Sequence, residues 1–467
     1  MNKSLRVLAI ALAVMFFALL ANVSAGYLLR SDKLNSDQRN SRVRDEQFGA
    51  HRGDIVAGNV PIAGNEYTGV RPFLNQRIYA NGPLYAPVTG FFSYNYGASG
   101  LEKTQNDILI GKSDSQFVGR VIDTLSGRTP QGGNVVTTID PTAQQAAWDA
   151  LAGREGAVVA LDYTTGEVKA LVSTPSYDPS ALAGTDLEAV TAAWEQLNAD
   201  PSQPMKNRAS QEIYPPASTF KLVVSAAALA DGYTPDRKVA TPAQLQLPGS
   251  THMLPNAVAA CGDGEQTLEY ALGMSCNTSF ANITLDLGEQ KIAEQAEKFG
   301  FGTKIAKDFD SASSVYPSDM DQASLALSGI GQYNVRATPL QMALVSAAIA
   351  NDGKAMQPYL VKELRDSNQR ILRRNKPTEL SKAMTPANAK QLQQMMRFVV
   401  EGGIGGGAKV SGATVGGKTG TAENGDNRST WFTGYMEESH VAIAVFLKND
   451  TAEQAAPTAR RVLEAMR

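Results

Sequence analysis

The stretch PPASTFKLVVSAAALAD, residues 215–231, is the part of the sequence that best indicates the fold. Two prolines open it, and the run from Ser218 to Ala230 is apolar almost all round, which predicts a buried helix. Ser218 and Lys221 stand three positions apart, so they share one face of that helix and the lysine amine can lie near the serine hydroxyl. The pair alone leaves two interpretations open. Ser218 is either the helix N-cap or a nucleophile.

Nucleophilic chemistry at Ser218 requires additional groups. A serine hydroxyl attacks only when a base takes its proton, and Lys221 can be that base if its pKa falls. Burial and a second nearby cation both lower the pKa of a lysine. Downstream, Ser275-Cys276-Asn277 offers a hydroxyl that can relay protons and an amide that can hydrogen-bond both the substrate backbone and the lysine. Alone, this second group is equally consistent with helix capping.

A third group, Lys418-Thr419-Gly420-Thr421, supplies what acyl transfer still lacks. Lys418 offers a cation for a substrate carboxylate, and the two threonines offer hydroxyl donors. Gly420 leaves room for substrate against a strand edge. The backbone N–H after the glycine can serve an oxyanion hole, worth about 3 to 4 kcal/mol per donor. The order S-x-x-K, S-x-N, K-T-G is the motif set of β-lactamases and penicillin-binding proteins.

The region of the third group has a rival interpretation. Residues 412–419 match G-x-x-x-x-G-K-[ST], the loop that cradles phosphates in nucleotide-binding enzymes. Such a loop must run into a helix whose N-terminus meets the phosphate. Residues 420–426, GTAENGD, are a poor helix start, and we find no strand ending in a Walker-B-type aspartate. We therefore expect no nucleotide.

Composition argues against other classes of site. The 467 residues carry a formal net charge of -3, which disfavours a general nucleic-acid-binding protein. Three histidines and two cysteines leave little from which to build a zinc site, and they disfavour a histidine-based triad. We expect neither a metal nor another cofactor. In an exported chain, Cys261 and Cys276 would form a disulfide; the alternative is two buried thiols.

The N-terminus predicts a membrane anchor. From Val7 to Leu29 no residue is charged and nearly all are apolar, a length that can cross a bilayer as a helix. A cleaved signal peptide is the alternative, because Val23-Ser24-Ala25 resembles a cleavage site. Five basic residues follow the span and two precede it. This count by itself favours a cytoplasmic location for the chain after the span, the opposite of the exported location that the catalytic chemistry implies.

The sequence divides into four predicted segments: a cytoplasmic tail (1–6), a membrane-spanning signal-anchor helix (7–29), an N-terminal non-catalytic domain (30–152) and a catalytic domain (153–467). Residues 55–130 read as strands and loops, because short apolar runs are broken by Gly, Pro and Asn. Strands near both ends of the catalytic segment, with helices between them, predict a mixed α/β domain whose sheet joins its N- and C-terminal parts.

Local patterns place the main elements. We predict a hairpin formed by residues 157–162 and 168–172 around Thr164-Thr165-Gly166. We predict helices over about 141–151, 218–230, 267–273, 278–287, 291–299, 339–350 and 455–466, and neighbouring strands over 413–421, 430–435 and 441–446.

Further motifs extend the pattern along nearly the whole chain, and with them the sequence resembles class B penicillin-binding proteins, in particular the penicillin-binding protein A group of mycobacteria and other actinobacteria. These motifs are Arg52-Gly53-Asp54-Ile55, Arg77-Ile78-Tyr79 with Gly82, Leu101-Glu102, Thr138-Ile139-Asp140, Pro175-Ser176-Tyr177-Asp178-Pro179, Asn207-Arg208, Ile330-Gly331-Gln332 and Thr338-Pro339-Leu340-Gln341-Met342-Ala343. Two positions depart from the pattern: Ala217 stands where the family usually has glycine, and residues 56–59 lack the usual Asp-Arg continuation.

The resemblance implies an α/β (α+β) fold: a penicillin-binding/transpeptidase domain of the β-lactamase-like kind, with a mixed sheet flanked by helices. A smaller, mainly β N-terminal domain, like the dimerisation domain of these proteins, and a single transmembrane helix would precede it. The resemblance also implies a single-pass protein of the cell membrane with its catalytic domain outside the cell. Its implied partners are peptidoglycan stem peptides, β-lactams and a multispanning glycan polymerase of the same membrane.

The activity implied by the resemblance is D,D-transpeptidation of peptidoglycan through an acyl-enzyme that β-lactams also form. The resemblance implies that Ser218 is the nucleophile and Lys221 its base. Ser275 and Asn277 would shuttle protons and hold the substrate, and the N–H groups of Ser218 and Thr421 would form the oxyanion hole. The carboxylate end of the substrate or drug would be bound by Lys418, Thr419, Gly420 and Thr421.

Three other functions share part of this pattern. A β-lactamase needs a deacylating base, and we find no E-x-x-x-N pattern between Asn277 and Lys418. A D,D-carboxypeptidase differs only in using water in place of an amine, which the sequence does not separate. A non-catalytic β-lactam sensor or divisome scaffold would keep the same serine and lysine, although a sensor usually needs a cytoplasmic output module, and only about six residues precede the span.

Overall fold

The computed structural model describes residues 3–35, 41–127, 131–424 and 427–467. Its helices are α1 (Lys3–Asn35), α2 (Ser41–Gly49), α3 (Gly82–Thr89), α4 (Gly100–Thr104), α5 (Asn106–Leu109), α6 (Phe117–Leu125), α7 (Pro141–Leu151), α8 (Leu187–Ala199), α9 (Lys221–Ala230), α10 (Leu268–Gly273), α11 (Asn277–Lys298), α12 (Gln322–Ser328), α13 (Pro339–Ala350), α14 (Pro386–Glu401) and α15 (Ala455–Ala465).

The strands are β1 (Ile55–Ala57), β2 (Val60–Tyr67), β3 (Asn75–Tyr79), β4 (Phe92–Ser93), β5 (Gly97–Ala98), β6 (Asn134–Thr137), β7 (Gly156–Asp162), β8 (Val168–Thr174), β9 (Lys238–Thr241), β10 (Gln244–Gln246), β11 (Met253–Pro255), β12 (Gly264–Thr267), β13 (Lys354–Met356), β14 (Val361–Arg365), β15 (Ile371–Arg374), β16 (Glu379–Lys382), β17 (Val415–Asn424), β18 (Asn427–Met436) and β19 (Val441–Lys448).

A five-stranded sheet in the order β17-β18-β19-β7-β8 organises the catalytic region. All four pairings in it are antiparallel. The expected hairpin β7–β8 from the start of the catalytic region lies beside β19 from its end, so the prediction that the sheet joins N- and C-terminal segments is confirmed. β17 is an edge strand.

Both faces of this sheet are buried, because the side chains alternate between two cores with period two. In β7, Val159 faces the larger core with α9, α11 and α13, whereas Val158 and Ala160 face the smaller core with α7 and α15. Strands covered on both sides read as continuous apolar runs, as the sequence of β7 does. α9 and α13 lie inside the larger core, which explains why they are apolar all round.

A second sheet, of six strands in the order β15-β14-β6-β1-β2-β3, forms the N-terminal region. Two of its strands, β14 and β15, come from residues 361–374 of the catalytic segment. Conversely, α7 precedes residue 153 but packs against α15 on the five-stranded sheet. The two regions therefore exchange elements across the expected boundary between residues 152 and 153, and that boundary stays a prediction.

Some local expectations need correction. Residues 55–130, expected as strands and loops, also contain the four helices α3 to α6. The two helices expected over 278–287 and 291–299 form one element, α11, which bends at Gly288. The segment that follows the apolar stretch, expected as the start of the N-terminal domain, contains the last residues of α1 and then α2.

The first helix is the candidate anchor. α1 contains, from Lys3 to Tyr27, a stretch long and apolar enough to cross a membrane, and none of it is buried in the protein. Its large apolar side chains, such as Phe17 and Tyr27, face outward. By length and composition this helix is compatible with a membrane span.

A buried charge cluster holds the N-terminal region together. Glu102 receives the Nε–H groups of Arg52 and Arg77, each at 2.6 Å, and all three side chains are almost completely buried. The guanidinium groups also donate to the backbone carbonyls of Glu102 and Gly53. The motifs that begin at Arg52 and Arg77 and the pair Leu101-Glu102 thus meet at one carboxylate.

Candidate active site

Ser218 lies in a turn of 3-10 helix, Ala217–Phe220, that leads directly into α9. The prediction of a buried helix after the two prolines is confirmed, although its first turn is the tighter 3-10 form. Thr219 Oγ1 and Thr219 N–H both donate to the carbonyl of Pro216, and these bonds close the turn. Ser218 itself is half-buried, whereas its neighbours Ala217 and Thr219 are buried.

The turn before Ser218 has an unusual backbone. Ala217 adopts φ 52°, in the left-handed region that L-residues other than glycine rarely occupy. The neighbouring Gly331 accepts the Ala217 N–H at 3.1 Å, and a Cβ on Gly331 would lie 2.0 Å from the Ala217 carbonyl oxygen. Gly331 therefore has to be glycine for this turn to pack where it does. The departure at Ala217 noted in the sequence falls on the strained position.

Lys221, one turn after Ser218, is fully buried. Its Nζ donates to the Ser275 carbonyl at 2.7 Å, to Asn277 Oδ1 at 2.8 Å and to Ser275 Oγ at 3.2 Å. Among the described residues, none hydrogen-bonds Ser218 Oγ, so in this state the lysine is tied to the second motif and not to the serine. The S-x-x-K and S-x-N groups are nevertheless in direct contact.

Ser275 lies between two lysines. Lys418 Nζ donates to Ser275 Oγ at 2.9 Å, on the hydroxyl that also receives Lys221. Ser275 has φ 60°, a left-handed conformation that sets the hydroxyl at the start of α11. The three sequence groups therefore meet at this single hydroxyl.

The two lysines form a like-charged buried pair. Burial lowers the pKa of Lys418 to about 7. Burial and, after it, repulsion from Lys418 hold the pKa of Lys221 well below its usual 10.5. In the described part of the chain, neither lysine forms a salt bridge with a carboxylate. An amine of this kind is available as a base near neutral pH.

The third motif lies on the edge strand β17. A close approach favours glycine there: a Cβ on Gly420 would lie 3.0 Å from the Pro216 carbonyl oxygen and 3.1 Å from Thr219 N, closer than most side chains pack. β17 thus packs against the Ser218 turn. The opposite residue on β18, Trp431, donates its indole N–H to the Pro215 carbonyl at 2.9 Å and fixes the same turn from behind.

Thr419 carries an unused donor at the site. Its Oγ1 is buried and has no hydrogen-bond partner. A buried hydroxyl without a partner costs free energy, about 1 to 3 kcal/mol, unless a ligand satisfies it. Thr421, two residues on, is half-buried on the same edge strand.

A disulfide and several hydrogen bonds fix the second motif, Ser275-Cys276-Asn277, to the segment before it in the chain. Cys276, the middle residue of S-x-N, forms a disulfide with Cys261. Asn256, just after β11, donates to Thr278 Oγ1 and accepts the Thr278 N–H, and Asn277 Nδ2 donates to the Pro255 carbonyl. The small hairpins around residues 238–267 are therefore fastened to the start of α11, beside the two lysines.

The phosphate-loop interpretation is excluded by the fold. Residues 415–424, which contain most of the Walker-like match, form strand β17, so no helix N-terminus follows Lys418 to hold a phosphate. Within the described ranges, no group of three or more His, Cys, Asp or Glu side chains could hold a metal ion.

Sequence reasoning missed part of the site. Trp431 and Gly331 support the Ser218 turn from segments far away in the chain, and neither lies in the three catalytic groups. Gly331 did fall in one of the short family motifs, Ile330-Gly331-Gln332, but nothing in that motif showed what it contacts. No local signal indicated Trp431.

Comparison with protein families gives two matches. The model for the penicillin-binding protein transpeptidase domain matches residues 156–465. The model for the dimerisation domain of penicillin-binding protein A matches residues 52–135.

Individual relatives and structures agree with these matches. The chain is 40% identical to peptidoglycan D,D-transpeptidase PbpA of Mycolicibacterium smegmatis over 96% of this chain and 94% of the relative. It is 37% identical to the protein of the same name from Mycobacterium tuberculosis, over 100% and 99%. A structure of penicillin-binding protein A from M. tuberculosis as an imipenem acyl-enzyme complex superimposes with a TM-score of 0.85 and 36% identity, covering 90% of this chain and 99% of that one.

Proposed function

Because this chain belongs to the penicillin-binding protein transpeptidase family, as a class B member of the penicillin-binding protein A kind and a serine D,D-transpeptidase of peptidoglycan, we propose that Ser218 is the residue that carries the acyl group. The observation that supports the assignment is the convergence of Lys221 and Lys418 on Ser275 beside the Ser218 turn. No carboxylate in the described chain neutralises those amines, so a neutral lysine is available to take the serine proton.

In the proposed acylation, Ser218 Oγ attacks the carbonyl carbon of the penultimate D-Ala of a stem peptide. Lys221 Nζ takes the hydroxyl proton as the C–O bond forms. The backbone N–H groups of Ser218 and Thr421 receive the oxyanion of the tetrahedral intermediate. When the C–N bond breaks, the proton passes from Lys221 through Ser275 to the leaving amine of the terminal D-Ala, and Lys221 is neutral again.

The proposed place of the substrate follows from β17. Because β17 is an edge strand, one row of its backbone groups is free to pair with an extended peptide. The terminal carboxylate, or the carboxylate of a β-lactam, would lie against Lys418 and Thr421 and accept the unused Thr419 hydroxyl. Asn277 would hold the peptide backbone from the opposite side.

In the second half-reaction, an amine of a neighbouring stem peptide attacks the ester and releases Ser218. The proton lost by the amine returns to Ser218 Oγ through Lys221. Water in place of the amine would give a D,D-carboxypeptidase with the same acyl-enzyme. Incubation of the purified protein with a D-Ala-D-Ala pentapeptide, with and without an amine acceptor, measures the share of each product.

The nucleophile is tested by labelling the full-length protein with a fluorescent penicillin. We expect stable labelling of the wild type and none of Ser218→Ala. Equal labelling of the two proteins would refute the acyl-enzyme assignment at Ser218. A thermal melt of Ser218→Ala separates loss of the hydroxyl from loss of the fold.

We further propose that α1 is a single-pass anchor and that the catalytic region lies outside the cell, with a multispanning glycan polymerase as neighbour in the membrane. Support comes from the apolar stretch Lys3–Tyr27 and from the disulfide, which persists in oxidising compartments. The basic residues after the span argue the other way. Protease accessibility in intact cells decides the orientation, and the mass of the mature protein decides between anchor and cleaved signal peptide.

A further inference from the structure

The N-terminal region contains an open basin, of about 810 Å³, which none of the three catalytic groups lines. It lies between α2 and the segment from β4 to α5, and its floor includes Phe48, Phe92 and Ser93. From its lining we propose that this basin is a second binding site for the cell-wall polymer, one that takes an acidic peptide still attached to its sugar.

Two polar groups of the basin lack partners. Ser93 is 1% exposed, and its Oγ makes no hydrogen bond to the protein. Arg44 Nε is also buried and without a hydrogen bond, while its guanidinium carbon lies 4.9 Å from the centre of the Tyr94 ring. Buried donors and acceptors are nearly always paired, so two unpaired groups lining one basin indicate a polar ligand there.

Aromatic rings form rigid walls of the basin. Phe48 stacks on Phe92 with ring centres 4.2 Å apart, and Tyr94 meets Phe48 edge-on at 5.2 Å. Tyr96 stacks at 4.2 Å on Trp194 of α8, an element of the catalytic region. Phe48 and Phe92 are buried and hold the wall rigid, whereas Tyr94 and Tyr96 are partly exposed and can contact the apolar C–H surface of a sugar ring with little loss of entropy.

The polar lining has one sign of charge. Of the twelve residues that line the basin, Arg44 and Lys103 are basic and none is acidic. Three more are amides: Gln47 and Asn95 can both donate to and accept from hydroxyl and acetamido groups, whereas Asn106 Oδ1 already accepts from Arg52 and leaves its amide N–H groups to donate. Cations pair with carboxylates, and arginine does so with two parallel bonds. Aromatic faces, amides and cations together fit an anionic glycopeptide better than either a bare peptide or a neutral sugar.

The identity of this ligand rests on the proposed function, because a protein that cross-links glycan-borne peptides meets that polymer continuously. A concave basin with unpaired polar groups suits a small polar ligand, whereas a protein partner usually buries a larger, flatter and drier surface. A second site in the N-terminal region would keep one strand bound to the enzyme while Ser218 exchanges peptides.

Binding to the basin can be measured apart from catalysis. The full-length protein, acylated beforehand with penicillin or carrying Ser218→Ala, is titrated by calorimetry with a disaccharide pentapeptide. Parallel titrations use the peptide without sugar, the disaccharide without peptide, and phosphatidylglycerol vesicles. Arg44→Gln with Lys103→Gln removes the two cations, and Lys112→Gln is the control, since Lys112 is an exposed lysine that does not line the basin.

We expect saturable binding of the disaccharide pentapeptide to the acylated wild type, and weaker binding of either half. The Arg44→Gln/Lys103→Gln protein should lose about ten-fold or more in affinity, and the Lys112→Gln protein should not. Equal glycopeptide affinity in all three proteins, no saturable binding, or vesicle binding that weakens with the Arg44→Gln/Lys103→Gln substitutions while glycopeptide binding does not, would each overturn the proposal; vesicle binding that is equal in the three proteins is assigned to α1. If penicillin acylates normally in any of these cases, the proposed function stands while the basin assignment fails.

Discussion

Two buried charge clusters in this protein are built in opposite ways. In the N-terminal region, Glu102 lies between Arg52 and Arg77, and each guanidinium meets the carboxylate and backbone carbonyls. In the catalytic region, Lys221 and Lys418 share the hydroxyl of Ser275, and no carboxylate of the described chain pairs with either. In the first cluster each charged side chain contacts an opposite charge, although Arg77 Nη2 is buried without a hydrogen-bond partner, whereas the second cluster holds two amines that repel each other.

The pKa values follow from this difference. Burial alone would raise the pKa of Glu102, but the charges of Arg77 and Arg52 outweigh it and keep the pKa low. For Lys221, burial and the Lys418 charge act in the same direction, so its pKa falls well below 10.5. A buried charge that is neutralised supports the fold. One that is left without a counter-charge is available for chemistry.

The largest expected effect separates chemistry from stability at Lys221. Lys221→Met keeps the volume and removes the amine, so we expect acylation by penicillin to slow by about 10²–10⁴-fold, the usual contribution of a general base. Removing the buried amine relieves its desolvation but leaves the Ser275 carbonyl and Asn277 Oδ1 without that donor, so the free energy of unfolding should change by no more than about 1 to 3 kcal/mol. Stopped-flow acylation and urea denaturation measure the two quantities. Marked destabilisation would show that Lys221 is part of the structural framework.

The opposite result is expected at Glu102. Glu102→Gln leaves two buried guanidinium groups without their counter-charge, so the free energy of unfolding should fall by about 3 to 5 kcal/mol. The acylation rate per folded molecule should not change, because Glu102 has no contact with the Ser218 turn. The exposed Glu66 provides a matched control as Glu66→Gln. If Glu102→Gln leaves the free energy of unfolding unchanged, the Glu102 cluster does not stabilise the fold, and its contrast with the lysine pair fails.

A substitution at Thr419 tests whether its unpaired hydroxyl donates to the carboxylate of the substrate or drug. Thr419→Val removes the buried hydroxyl at nearly constant volume, so acylation by a carboxylate-bearing β-lactam should slow by about ten- to a hundred-fold, the value of a hydrogen bond to a charged group. A β-lactam whose carboxylate is esterified should react with both proteins at similar rates. If the ester discriminates as strongly as the acid, Thr419 does not meet the carboxylate.

The pH profile tests the repulsion between the lysines. Acylation should increase as Lys221 loses its proton, with a midpoint well below 10.5 because the folded pKa is lowered. Lys418→Met removes the repelling charge, so the Lys221 pKa should rise and the midpoint should move to higher pH. The midpoint, and not the height of the curve, is the readout, because Lys418 also contacts Ser275. A midpoint that stays in place or falls would contradict coupling of the pair.

The smallest effect concerns the strained turn. Ala217→Gly removes the side chain from a left-handed residue, which should stabilise the fold by about 1 kcal/mol. Ala152, with φ 51° at the end of α7, is the matched control as Ala152→Gly. Both variants should gain stability in thermal melts, and only Ala217→Gly should alter the acylation rate. A loss of stability in Ala217→Gly alone would mean that the alanine side chain packs usefully there.

Much of the catalytic fold could be predicted from the sequence, because its signals are local. Alternating or continuous apolar runs gave the hairpin β7–β8 and the strands β17 to β19, and proline with threonine or aspartate marked the starts of α7 and α13. The pairing of β6 with β14 could not be predicted, because those strands lie more than two hundred residues apart and neither sequence specifies its partner.

The site could be predicted in composition but not in geometry. The sequence showed that Ser218, Ser275 and Lys418 supply different parts of one reaction. It did not show that both lysines donate to the same hydroxyl, since this depends on how β17 packs against the Ser218 turn. The close approach of Gly420 to Pro216, and of Gly331 to Ala217, became visible only in three dimensions.

The central claim is that Ser218 forms the acyl bond and that the unneutralised lysine pair enables it. Peptide mapping by mass spectrometry after a short exposure to penicillin tests it most directly, with wild type, Lys221→Met and Ser218→Ala treated alike. The account predicts an adduct on the peptide that contains Ser218 in the wild type, very little in Lys221→Met, and none in Ser218→Ala. An adduct on another residue, or full modification of Lys221→Met in the same time, would contradict it.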